Sequence, residues 1–139
     1  MKTIIKSIHK SSNSKCTECL IPLESIPAGF PDEISDYIEG YLDLNEHLIK
    51  NPGATFFLRV AGTSMTNAGI FPDDILIVDK SQQVQNRNIV IAIIDNEFLV
   101  KRYRSFQGDI FLVDETDTPE TKYYNFEIWG VVTASVHTL

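Results

Sequence analysis

The chain has 139 residues, 43% of them hydrophobic, a formal net charge of −7 and a pI near 4.8. That length suits one domain around a single core. The acidic balance disfavours non-specific binding to nucleic acid, which depends on cationic contacts with phosphates, but leaves room for a protein partner that carries DNA. No run of about 18 apolar residues occurs, so no membrane-spanning helix is expected.

Met1 to Lys10 mixes Lys with Ile and lacks the continuous apolar stretch of a secretory signal. A cytoplasmic location follows as the expectation, and two cysteines, too few for a disulfide framework, agree with a reducing compartment. Residues 1–29 carry Lys2, Lys6, Lys10, Lys15 and the cluster Ser11-Ser12-Asn13-Ser14. They read as a mobile arm. Ile21, Leu23 and Ile26 give it enough apolar character to lie extended in a groove, and Pro27 and Pro31 favour extended backbone before them. Composition shifts near residue 30, which separates the arm from a domain over residues 30–139.

A short helix is expected near 43–50. Asp43 can cap it, Glu46 sits three residues on, and Leu44, Leu48 and Ile49 share a face. Asn51-Pro52-Gly53 ends it. Strands follow at 55–61, 75–79, 88–94, 97–103, 109–113 and 127–136. Asp95-Asn96 between two apolar runs marks a tight hairpin, and Pro72-Asp73-Asp74 and Asp117-Thr118-Pro119 mark turns. The expected fold is mainly β and compact.

Two positions stand out chemically. Ser64 lies in Ala61-Gly62-Thr63-Ser64-Met65, directly after an apolar strand, with Gly69 beyond. Glycines permit a tight turn that exposes a hydroxyl and aims backbone N–H groups, those of Ser64 and Met65, as oxyanion donors. The same turn also suits a serine that merely bonds its own backbone. Lys101 lies inside Glu97-Phe98-Leu99-Val100-Lys101-Arg102-Tyr103. Alternation puts it on one face with Leu99 and Tyr103. There it is either desolvated, which suits an amine acting as general base, or it snorkels outward from an edge strand.

Other signals are weaker. No G-x-S-x-G, H-E-x-x-H or Walker sequence occurs. His9, His47 and His137 are dispersed, and Asp73 and Asp74 suit a turn better than acid–base work. Cys16-Thr17-Glu18-Cys19 offers two ligands where a structural zinc site wants four. No metal or cofactor is expected.

The chain resembles the LexA/UmuD-type self-cleaving Ser-Lys peptidases, the S24 family. The resemblance runs from Ala28-Gly29-Phe30-Pro31 through Gly62-Thr63-Ser64-Met65 and Glu97-Phe98-Leu99-Val100-Lys101 to Trp129-Gly130-Val131-Val132. It implies a LexA/UmuD-like peptidase fold, Ser64 as nucleophile, Lys101 as base and Ala28-Gly29 as the scissile bond. It further implies a UmuD-like SOS function. A RecA filament on single-stranded DNA stimulates self-cleavage, and the shortened homodimer joins a UmuC-type Y-family polymerase in translesion synthesis. Residues before Ala28 lack a helix-turn-helix pattern, so no sequence-specific DNA binding is expected. Two rival readings remain open: a polymerase-binding subunit that does not cleave, and a truncated LexA-like repressor.

Overall fold

The computed structural model describes residues 2–11, 18–22, 38–117 and 121–139. Its elements, in chain order, are β1 (Ile4–Lys10), β2 (Glu18–Pro22), β3 (Ile38–Asp43), α1 (Leu44–Leu48), β4 (Thr55–Ala61), β5 (Ile75–Asp79), β6 (Ile89–Ile94), β7 (Glu97–Phe106), β8 (Asp109–Val113) and β9 (Glu127–Val136). The protein is mainly β with one short α-helix among the described residues, as its sequence suggests.

The chain divides into two units, residues 13–50 and residues 1–12 with 51–139. In the first, β2 and β3 pair antiparallel from Glu18↔Asp43 to Pro22↔Ile38. Helix α1 follows at once because Asp43 caps it: its carboxylate accepts from the N–H groups of Asn45 (3.0 Å) and Glu46 (3.5 Å). Ala28 and Gly29 fall between β2 and β3, outside the described residues.

The second unit is a seven-stranded sheet in the order β1-β4-β5-β9-β6-β7-β8, and a further pairing of β1 with β7 at Ile4↔Leu99 closes it into a ring. Closure leaves both faces of several strands apolar. Alternation along β6 and β7 feeds two clusters. Leu58, Val60, Met65, Leu76, Val78, Ile91 and Val100 are buried in one, and Val90, Ala92, Leu99, Leu112 and Val131 in the other. Each such side chain other than Ala92 stabilises the fold by about 1.5–3 kcal/mol. Two-residue turns set the registers of the β6–β7 and β7–β8 hairpins. Asp95 and Asn96 both have positive φ (50° and 65°), as do Gln107 and Gly108 (48° and 85°).

The sequence reading leaves Ile4–Lys10 in the arm, whereas the structure makes it a strand of the main sheet. It pairs antiparallel with β4 from Ile4↔Ala61 to Lys10↔Phe56, with a bulge between Ile5 and Ser7. The strand buries little. Thr3, just before it, is buried, but Ile4 and Ile8 are each 42% exposed. Backbone pairing holds it, with Ile5 alone of its isoleucines packed, partly buried, against the core.

Candidate active site

Strand β4 ends at Ala61, and Gly62 turns the chain with φ +101°. A side chain is doubly barred there, because a Cβ would lie 1.9 Å from the Lys2 carbonyl oxygen. Thr63, Ser64 and Met65 form the turn, and a short 3-10 helix, Thr66–Ala68, ends at Gly69 with φ +85°. The Met65 side chain is fully buried in the core and pins the turn from below. The Ser64 carbonyl accepts from the Glu115 N–H (3.0 Å), and the Asn67 N–H donates to the Glu115 carbonyl (3.0 Å). The serine turn is thereby fastened to the segment after β8.

Lys101 sits mid-strand in β7 and is fully buried. The structure therefore answers the question the sequence leaves open: the amine does not snorkel to an edge. Its Nζ donates to Asp114 Oδ1 at 2.6 Å and lies 4.4 Å from the centre of the Tyr123 ring. The next residue points the other way, and Arg102 Nε donates to Glu115 Oε1 at 2.9 Å. Asp114 is reached through the β7–β8 hairpin, whose register runs from Phe106↔Asp109 to Arg102↔Val113. One further step sets Asp114 opposite Lys101.

Ser64 and Asp114 line one cleft of about 510 Å³, together with Lys2, Thr63, Thr66 and Asp117. Lys101 lies behind its wall. Within this arrangement Ser64 and Lys101 do not bond each other. The Ser64 hydroxyl donates to Thr3 Oγ1 (2.7 Å) and its oxygen accepts from the Thr3 N–H (2.8 Å). Thr3, Asp114 and Tyr123 are site residues that sequence reasoning missed. The Gln107-Gly108 turn was the available signal for Asp114, since a two-residue hairpin there dictates the register. Nothing local signals Thr3, which arrives by long-range strand pairing.

The remaining candidates have structural roles. Asp74 is buried; its Oδ2 accepts from the Phe71 N–H (2.8 Å) and its Oδ1 is 2.5 Å from His137 Nδ1. Asp73 has φ 70° and pairs with Lys6 at 2.8 Å. The hydrogen bond from Lys6, then its charge, with Arg59 adding, hold the Asp73 carboxyl below its ordinary value. Burial raises Asp79, but hydrogen bonds from Ser81 and Asn51 outweigh it and leave that carboxyl lowered. Among the described residues no three His, Cys, Asp or Glu side chains gather as a metal site. Cys16 lies outside the described residues and Cys19 falls on β2. No described helix is long and apolar enough to cross a membrane.

A mainly β ring thus sets a turn serine on a cleft and a buried strand lysine paired with a residue of that cleft's wall. The chain belongs to the Peptidase S24-like family, whose profile matches residues 20–133. It is similar to ImpA of Salmonella typhimurium, 45% identical over 113 residues that cover 79% of this chain and 77% of the relative. It is similar to MucA of Escherichia coli, 40% identical over 120 residues that cover 82% of this chain and 81% of MucA. A LexA repressor from Clostridium kluyveri is 37% identical over 111 residues, which span 80% of this chain but 54% of that repressor. The family is the UmuD- and LexA-type family that the motifs resemble.

Proposed function

We propose that the protein is a UmuD-like DNA-damage factor that cuts its own Ala28–Gly29 bond. The shortened form, a cytoplasmic homodimer, serves as a subunit of an error-prone translesion polymerase with a UmuC-type partner. A RecA filament on single-stranded DNA stimulates the cut. One observation carries this reading: a lysine fully buried behind the wall of the cleft that Ser64 lines, in a Peptidase S24-like chain. A buried lysine costs stability relative to an apolar residue of its size, so chemistry is a reason to keep it.

In the proposed reaction, neutral Lys101 takes the Ser64 proton as the serine oxygen attacks the Ala28 carbonyl carbon. The backbone N–H groups of Ser64 and Met65 receive the oxyanion. The C–N bond breaks, and the Lys101 ammonium returns the proton to the Gly29 nitrogen. Water then attacks the Ser64 ester, giving one proton to Lys101, which passes it to the departing serine oxygen as the Ala28 carboxyl is released. Tethering keeps the effective concentration of the substrate segment high, so a pocket for foreign substrates is unnecessary. Both side chains must first change partners, since Ser64 bonds Thr3 and Lys101 bonds Asp114 at rest.

Those resting contacts also favour a second reading, a polymerase-binding subunit that does not cleave. Incubation with RecA, an ATP analogue and single-stranded DNA separates the two. Intact-mass analysis is expected to give a fragment beginning at Gly29 from the wild type and none from Ser64→Ala. A wild-type chain that stays whole beside an active RecA filament overturns the peptidase reading.

A further inference from the structure

We propose that the start of the N-terminal strand is an internal inhibitor, in which Thr3 occupies the ground between the Ser64 turn and the Lys101 strand. The inference rests on the peptidase reading and adds a regulatory element to it. Thr3 is only 1% exposed, and its groups reach both halves of the site. Its N–H donates to Ser64 Oγ (2.8 Å) and its Oγ1 accepts the Ser64 proton (2.7 Å). Its carbonyl accepts from the N–H of Val100 (3.1 Å), the residue before Lys101. Lys2 lies against Gly62 on one side, and Ile4 pairs with both Ala61 and Leu99.

This seating is incompatible with attack. A scissile carbonyl must come within roughly 3 Å of the serine oxygen, with the serine proton directed at the base. Thr3 already fills that distance with a donor and an acceptor, and it takes the proton in a direction that leads to no base. The glycine at 62 is what lets the strand come so close. Any other residue there would meet the Lys2 backbone.

The seat is also built to be left. Along β1 Ile5 packs, partly buried, against the core, while Ile4 and Ile8 are each 42% exposed. Its two ion pairs, Lys2–Glu97 (3.1 Å) and Lys6–Asp73 (2.8 Å), are on the surface. Exposed pairs hold weakly, and segments with few buried apolar contacts open at low free energy. An activator then needs only to bind the unseated form better than the seated one.

The test is a reversible lock. Ile4 and Ala61 are cross-strand partners, and antiparallel partners stand close enough for a disulfide. Ile4→Cys with Ala61→Cys is placed in a Cys16→Ser, Cys19→Ser background. Fragment release is then timed with RecA filaments and, separately, without RecA at raised pH. The oxidised lock is expected to cut at least about tenfold more slowly than the same protein after reduction. Thr3→Pro, which lacks the N–H that holds Ser64, is expected to cut faster than the background. Equal rates in the oxidised and reduced forms, both cutting, overturn the inhibitor and leave the peptidase reading standing. If the unlocked background cuts under neither condition, the peptidase reading itself fails and the inhibitor falls with it.

Discussion

Removing one partner of the Lys101–Asp114 pair should not cost the same as removing the other. The two ends differ in their access to water: the Lys101 side chain is fully buried, whereas that of Asp114 is 24% exposed on the cleft wall. Asp114→Ala strands an ammonium whose remaining neighbour of note is the Tyr123 ring at 4.4 Å. Breaking a buried pair typically costs 3–5 kcal/mol, and the wet end of this one puts the expected loss near the bottom of that range, about 3 kcal/mol. Lys101→Met keeps most of the stem volume among apolar neighbours and leaves a carboxylate that water can reach, so its expected cost is about 1 kcal/mol or less. With a urea slope of about 2 kcal/mol per molar, the two variants should differ in midpoint by about 1 M. Both are best measured by urea titration in a Ser64→Ala background, so that self-cleavage does not blur the transition. If Lys101→Met proves as damaging as Asp114→Ala, the lysine is held by its packing and not by its ion pair, and this account of the site is wrong.

Cleavage without RecA should accelerate as pH rises above neutral, since only a neutral amine takes the serine proton, and Lys101→Arg should be inactive throughout because guanidinium stays charged; timed fragment release from pH 6 to 10 checks both. The Asp73 carboxyl is lowered by Lys6 from its ordinary 3.8, so its contribution to seating β1 is fully present above 3.8 and is lost as pH falls through the folded value. Amide-exchange protection of β1 should therefore drop on the acid side in the wild type and change less in Asp73→Asn. Gly62→Ala puts a Cβ 1.9 Å from the Lys2 carbonyl oxygen at a φ of +101°. It should cost about 1–3 kcal/mol in a urea titration and loosen the start of β1.

Local pattern carried most of the sheet. Strands at 55–61, 75–79, 109–113 and 127–136 fall where alternation and turn residues put them, and Asp43 caps α1 as its position before Leu44 suggests. The ends of β6 and β7 differ by up to three residues: β7 runs on to Phe106, until Gln107 and Gly108 reverse the chain. β1 escaped because its place depends on residues about fifty positions away. Its register with Ala61 to Phe56 is held mostly by backbone groups that every sequence possesses, and of its three isoleucines only Ile5 packs toward the core while Ile4 and Ile8 are exposed. β2 and β3 escaped for a similar reason, since each reads as arm or loop until the other is beside it.

The site divides along the same line between local and distant information. Ser64 announces itself by the glycines around its turn, and Lys101 by being the wrong residue for its strand. What each touches is decided by neighbouring strands. Asp114 was within reach of inference, because a two-residue turn at Gln107-Gly108 forces Arg102 opposite Val113 and so Lys101 opposite Asp114. Thr3 was not, because no turn connects it to Ser64. Yet these two unannounced residues are the ones that hold the hydroxyl and the amine at rest. The residues that do the proposed chemistry are thus marked by local pattern, while those that restrain it are supplied by pairing between strands. A change that alters strand pairing near Ile4 or Val113 should therefore alter the timing of cleavage while leaving intact the two groups proposed to perform it.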